Sequence, residues 1–351
     1  MADAPVSDQH APGRGYAPGV WRRFALASLG VFFIGLGIIY AALIVLDPYD
    51  TGRFPTFMHP GVTDIEQRTA SASHGRNPAF DAAIFGNSRG QLLDPARLSA
   101  LTKLEFVQLT TPGSGPREQT VLMQYFIAHH EKVDAVVLAV DERWCDHDPA
   151  LSVRFPFPFW LYRGNVEYLA NLLNTRSISF ARNRIRLMRG MATPGNRRGY
   201  RDYETGKVWN FHPHDAWPVA PASGPPPKPN GFFPAMRLLD DALARLPAQT
   251  PVVILMPPVY RTMLPVPNSQ IAADLPACKA AFAARVAGRP RSAFLDFLLD
   301  TPISHDPANF MDHEHYRHVV AQMLERRIAA VLLGSDEPPG AGAGTGSPGM
   351  R

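Results

Sequence analysis

Cysteine is nearly absent, with only Cys145 and Cys278 in 351 residues. Two residues so far apart exclude a disulfide framework and any CxxC-based zinc site. They are expected to be unlinked thiols, with pairing in an oxidising compartment as the alternative. Charge is sparse too. Charged residues make up 19%, and 35 Lys and Arg against 31 Asp and Glu leave a formal net charge of +4. No dense basic stripe with interleaved aromatics occurs, which argues against a nucleic-acid partner. Neither a P-loop nor a GxGxxG is found, so no nucleotide cofactor is supported and no cofactor is expected. Hydrophobic residues, at 46%, are ample for a core, and the 35 prolines are about twice ordinary usage.

Residues 24–46 read FALASLGVFFIGLGIIYAALIVL, 23 positions without a charge. At 1.5 Å per residue such a helix crosses a hydrocarbon layer of roughly 30 Å. The apolar region of a cleaved signal peptide is shorter, about 7–15 residues, and ends in small residues. This run instead passes straight into Asp47, Pro48, Tyr49 and Asp50, which favours an uncleaved anchor. Arg14, Arg22 and Arg23 precede it, whereas Asp47 and Asp50 follow. The positive-inside rule therefore puts residues 1–23 in the cytoplasm and everything after the span outside. In a bacterial inner membrane, outside means the periplasm.

After a juxtamembrane connection (47–80) without sustained periodicity, apolar runs alternate with amphipathic stretches. Strands are expected at 82–85, 104–109, 135–140, 252–256 and 293–297. Helices are expected at 95–101, 117–130, 271–287 and 315–333. This alternation predicts a doubly wound, three-layer α/β/α domain over 81–333 with a mostly parallel sheet. Residues 145–235 interrupt it as an insertion. They hold an aromatic run (155–162), a basic helical stretch (181–190) and a proline-rich loop (218–234). The basic stretch reads as a solvated helix face, with anionic head groups or an acidic polymer as alternative partners. The tail, 334–351, is of low complexity and expected to be disordered.

Two segments can carry chemistry. In IFGNSRG (84–90), Ser88 falls where the first strand gives way to helix, at the sheet edge where open α/β folds bind ligands. A lone serine there can also be a mere N-cap, and as a nucleophile it requires a general base. In NFMDHEHYRHV (309–319), Asp312 and His315 lie three apart at the expected helix start. Such a pair can present an imidazole as base while the carboxylate holds its tautomer. His313, His315 and His318 lie here with Asp312 and Glu314, but His313 and His315 point to different helix faces, so no metal site is expected. Cys145-Asp146-His147-Asp148 reads as a polar loop, and His212 and His214 as solvent-facing.

Taken together, a serine after the first strand and Asp-x-x-His at the last helix resemble the SGNH (GDSL-like) hydrolases, over roughly residues 80–333. The closest likeness is to their membrane-anchored bacterial branch associated with cell-surface polysaccharide acylation. GNSR at 86–89, LTTPGSGPREQ at 109–119, MPP at 256–258 and NFxDxxHY at 309–316 carry the likeness. The resemblance implies a flavodoxin-like sheet, Ser88 as nucleophile, His315 as base and Asp312 as its orienting partner. It also implies an oxyanion hole from the backbone N–H groups of Ser88 and Gly113. Asn87, Arg89, Asp141 and Arg143 are candidate substrate-binding residues. The family's third block ends in Gly-x-Asn, whose amide donates to the oxyanion. Here the strand ends AVDERW, and an ionised Asp141 cannot donate, so either another donor replaces it, for example Arg143 or an Asn of the insertion, or the site is slow or inactive. The implied function is an esterase or O-acyltransferase acting on a glycan, the latter needing acyl groups from a multi-pass partner. The alternative is an inactive SGNH-shaped subunit that binds glycan or scaffolds an envelope complex. A wide separation of Ser88 from His315 would favour that alternative.

Overall fold

The computed structural model describes residues 18–54, 61–63, 66–146, 155–213 and 232–335. The N-terminal segment, His147, Asp148, His214, most of the proline-rich loop and the low-complexity tail from 336 lie outside the described residues.

Five parallel strands form the sheet: β1 (Ala82–Gly86), β2 (Phe106–Thr110), β3 (Ala135–Ala139), β4 (Val252–Met256) and β5 (Ala293–Asp296), in the order β2-β1-β3-β4-β5. This is the flavodoxin-like order. Every residue of β1 to β4 is buried, whereas the edge strand β5 is half-buried. A parallel sheet is covered on both faces, so its strands read as unbroken apolar runs rather than alternating ones.

Successive side chains still point to opposite faces. Ala83 and Phe85 join one apolar cluster, Ala82 and Ile84 the other. The first cluster contains α4 (Pro116–His129), α7 (Pro234–Leu243) and α8 (Gln270–Val286), the second α3 (Pro95–Thr102) and α10 (His318–Leu333). Burying each large apolar side chain in these layers contributes about 1.5–3 kcal/mol. Local signals fix the helix starts. Asp94 accepts from the Ala96 N–H with Pro95 in the first turn of α3, and Ser269 caps α8.

The expected boundaries agree to within about two residues, save one. The last helix begins at His318 rather than at 315. Asp312 and His315 therefore lie in the turn that precedes it.

The juxtamembrane connection is more ordered than its lack of periodicity implies. It carries α2 (Gln67–His74), whose Thr69–Ala72 are buried. Buried Asp47 accepts from Thr51 Oγ1 (2.8 Å) and the Gly52 N–H (2.7 Å). Asp50 accepts from Ser73 Oγ (2.6 Å) and pairs with Arg184 (3.0 Å). Polar bonding holds this segment, and such bonding leaves no periodic trace in sequence.

The insertion holds α5 (Asn165–Leu172) and α6 (Thr175–Met188). Its aromatic run forms a 3-10 turn, Phe159–Tyr162, with Leu161 and Tyr162 buried. The solvated-face expectation for the basic stretch fails at Arg184, which is 3% exposed against Asp50. Arg182, Arg186 and Arg189 are exposed. A loop of the insertion also covers the free edge of β2, where the Gln108 N–H donates to the Arg198 carbonyl (2.8 Å).

Among the described residues one helix, α1 (Pro18–Leu46), is long and apolar enough to cross a membrane. Its large side chains are exposed along most of its length. Its C-terminal turns pack on α5 and α6, and Tyr40 Oη donates to the Leu169 carbonyl (2.9 Å).

The expectation of two unlinked thiols is overturned. Cys145 and Cys278 form a disulfide, Cα to Cα 5.6 Å. Parallel strand order sets the turn after β3 against α8 despite 133 intervening residues. Closing a loop of this length restricts the unfolded chain, and losing such a bond costs about 2–5 kcal/mol. Denatured but unreduced protein should show no free thiol, and Cys145→Ser/Cys278→Ser should melt several degrees lower. Two titratable thiols in the unreduced wild type would contradict the pairing.

Candidate active site

The site begins at the carboxyl end of β1, beside the point between β1 and β3 where the strand order reverses. Such switch points open a crevice in doubly wound sheets. Gly86 closes β1 at φ 149°, and a Cβ there would stand 2.8 Å from the Ala139 carbonyl oxygen of β3. Only glycine lets the two strand ends run this close. Asn87 then caps a 3-10 turn, Ser88–Gly90, its Oδ1 accepting from the Arg89 N–H (2.9 Å). The cap is thus Asn87, and the N-cap reading of Ser88 does not hold. Ser88 Oγ instead lies 2.9 Å from His315 Nε2.

His315 is presented by a tight loop rather than by a helix. Phe310 and Tyr316 form an antiparallel bridge, with the Met311 N–H donating to the His315 carbonyl (2.8 Å). Asp312 Oδ1 accepts from the backbone N–H groups of Glu314 and His315, both at 2.8 Å. The same carboxylate meets His315 Nδ1 at 2.8 and 2.9 Å. An ionised carboxylate only accepts, so Nδ1 carries the proton and Nε2 is left to accept from the Ser88 hydroxyl. Burial pushes the Asp312 carboxyl up, but the hydrogen bond and charge of His315 and the two N–H donors outweigh it. The net position is below the ordinary aspartate value.

The neighbouring imidazoles turn elsewhere. His313 Nδ1 meets Thr262 Oγ1 (2.6 Å), and His318 Nε2 meets Asp202 (3.1 Å). Among the described residues no group of three or more His, Cys, Asp or Glu is placed to hold a metal ion.

Asn87, Arg89, Asp141 and Arg143 come together, but beneath the serine turn rather than in the pocket. Asp141 caps the turn after β3, Glu142–Cys145, accepting from the Arg143 N–H (3.1 Å). Its Oδ2 accepts from Asn87 Nδ2 (2.5 Å) and from Arg143 Nε (2.8 Å) and Nη2 (2.6 Å). The turns after β1 and β3 are thereby tied side by side. Arg89 is buried and forks onto Glu142 at 2.5 and 2.9 Å. Burial and the Glu142 charge push the Asp141 carboxyl up, while Arg89 holds that of Glu142 down against its own burial. Both guanidinium groups pair with carboxylates, and these contacts brace the turns after β1 and β3; none of the four residues, Arg143 included, lines the pocket over Ser88.

A cavity of about 340 Å³ opens over Ser88, Asp312 and His315. This is the small end of the range for ligand pockets. Sequence reasoning missed most of its other walls. Tyr203 Oη donates to the Ser88 carbonyl (3.1 Å), and its ring stands edge-on to His315. Trp209, Arg201 and Gln91 also line it, as does Gln67 at the start of α2. The side-chain amide nitrogen of Gln67 is buried with no hydrogen-bond partner among the described residues. Apart from Gln91, which follows the serine turn, these residues come from the insertion and the juxtamembrane segment, where no motif marked them.

Gly113, at φ 67°, follows Pro112 of the pocket wall, and the Phe155 ring leaves no room for a side chain there. Neither the Ser88 nor the Gly113 N–H donates to an acceptor among the described residues.

Comparison of the chain with protein-family models returns no match, and comparison with curated proteins returns none either.

A carboxyl held below its unfolded value stabilises the fold above about pH 4, and this contribution is lost as pH falls through the folded value. In stepped-pH urea titrations, the stability gap between wild type and Asp312→Asn should narrow below about pH 4. A gap that widens on acidification would contradict an ionised Asp312.

Proposed function

We propose that this chain is a membrane-anchored serine acyl-ester enzyme of the SGNH type, an esterase or O-acyltransferase acting on a cell-envelope glycan. The observation that carries the proposal is the unbroken chain from Ser88 Oγ through His315 to Asp312, opening into a pocket. The 2.9 Å contact favours an enzyme over an inactive scaffold.

In this reading Ser88 Oγ attacks the ester carbonyl as its proton passes to His315 Nε2, and ionised Asp312 stabilises the imidazolium. The oxyanion accepts from the N–H groups of Ser88 and Gly113. The unpartnered amide of Gln67 takes the donor place that the family gives to the third-block Asn. Collapse breaks the ester C–O bond, and His315 returns its proton to the leaving alcohol. Water or a sugar hydroxyl then attacks acyl-Ser88, with His315 again as base. Water as acceptor makes an esterase; a sugar hydroxyl makes a transferase, which would draw its acyl groups from a multi-pass partner.

Helix α1 anchors the domain to a bacterial inner membrane, with the flanking charges placing the domain in the periplasm. The Cys145–Cys278 disulfide supports that side, since disulfides persist in oxidising compartments. Aromatic Tyr203 and Trp209 at the pocket suit the face of a sugar ring.

The test is p-nitrophenyl acetate hydrolysis by the full-length protein in detergent. Ser88→Ala should fall to the buffer rate, and equal release from wild type and Ser88→Ala would overturn the proposal. Gln67→Leu preserves size but removes a donor and should lower kcat about 10²–10³-fold, the loss typical of one oxyanion contact. An unchanged kcat would remove Gln67 from the mechanism.

A further inference from the structure

Two arginines of α6, Arg182 and Arg186, and its C-cap residue Arg189 remain without a role in the proposed chemistry. Arg184 points into the protein and pairs with Asp50. Arg182, Arg186 and Arg189 instead line a cavity of about 580 Å³ between α6 and the C-terminal turns of α1. Spacings of three and four set them on one helix face with Ile178 and Ile185. The opposite wall is hydrocarbon, from Ile39, Leu43 and Leu46. Among the described residues none of the three arginines pairs with a carboxylate. The nearest engagement is Arg186 Nη2 donating to the Met191 carbonyl at 3.4 Å.

The membrane helix gives this cavity its depth. Trp21 and Tyr40 stand 19 residues apart, a rise of about 28 Å, close to the hydrocarbon thickness of roughly 30 Å. Tryptophan and tyrosine are favoured at the two interfaces, so Tyr40, bonded to Leu169 of α5, marks the outer boundary. Residues 41–46 and α6 then lie at head-group level. Ile178, Met188 and Met191 expose apolar surface there, at 48, 36 and 54%.

We propose that this cavity is a binding site for an anionic phospholipid of the outer leaflet. The phosphate would sit among Arg182, Arg186 and Arg189, with the acyl chains running inward past Ile39. The inference rests on the membrane-spanning reading of α1 but not on the esterase chemistry. Guanidinium groups that meet no carboxylate among the described residues, set beside a hydrocarbon wall, complement a ligand that is anionic at one end and apolar at the other. A lipid held here would fix the angle between α6 and the anchor, and with it the height of the pocket above the membrane.

The test is native mass spectrometry of the full-length protein in neutral detergent, with phosphatidylglycerol and phosphatidylcholine in equal amounts. Wild type should retain phosphatidylglycerol at least about tenfold over phosphatidylcholine. Arg182→Gln/Arg186→Gln/Arg189→Gln should lose the preference, while the matching triple lysine variant keeps most of it. An equal preference in the glutamine variant, or none in wild type, overturns the proposal. Displacement of the lipid by 10 mM inorganic phosphate also overturns it, because a simple anion site would then suffice. Carbonate extraction of the cellular membranes separates the two readings. Release of the chain would end both the anchor and the lipid site, whereas retention without lipid preference ends the lipid site alone.

Discussion

The contact between Ser88 Oγ and His315 Nε2 joins positions 227 residues apart, and the chemistry proposed for this protein depends on it. A single hydrogen bond of this kind contributes only about 1 kcal/mol of net stability. It cannot hold its own partners in place, so both ends must be positioned by other forces. On the serine side, Gly86 lets β1 and β3 end close together, the Asn87–Asp141 bond ties the turns that follow, and Tyr203 holds the Ser88 carbonyl. On the histidine side, the Phe310–Tyr316 bridge shapes the loop. The Tyr260 N–H, donating to the His313 carbonyl (3.0 Å), fastens that loop to the segment after β4.

The insertion is therefore a working part of the domain rather than an appendage. It supplies Tyr203 and Trp209 to the pocket and covers the open edge of β2. It also supplies Glu204 at the start of α10, which has no side-chain cap of its own. Glu204 bonds Arg317 Nε (2.7 Å) and accepts from the His318 N–H, placing a carboxylate at the positive end of that helix. Through α5 and α6 the same insertion grips α1. Pocket, sheet edge and the apolar helix α1 are thus linked through one segment.

The sheet was legible in the sequence because fully buried parallel strands leave continuous apolar runs, and all five strands fall where such runs occur. The Ser88, Asp312 and His315 trio was legible because it lies in compact motifs at a strand end and near a helix start. The bracing role of Asp141 was not, since a carboxylate at a strand end reads alike whether it meets substrate or an asparagine amide. The Cys145–Cys278 bond was hidden because strand order, not spacing, makes those positions neighbours. Gln67 and Tyr203 were invisible for a similar reason: each enters the pocket from a polar segment without periodicity, positioned by long-range packing alone.

The claim that Ser88 is a nucleophile activated by His315 is tested most directly by covalent trapping. Full-length protein should be treated with a fluorophosphonate and the adduct located by peptide mass mapping, with its rate of formation compared between wild type and His315→Ala. The account predicts modification at Ser88, slowed at least about a hundredfold when the imidazole is removed, the lower end of a positioned base's contribution. No adduct at Ser88, or one forming equally fast in both proteins, would contradict it.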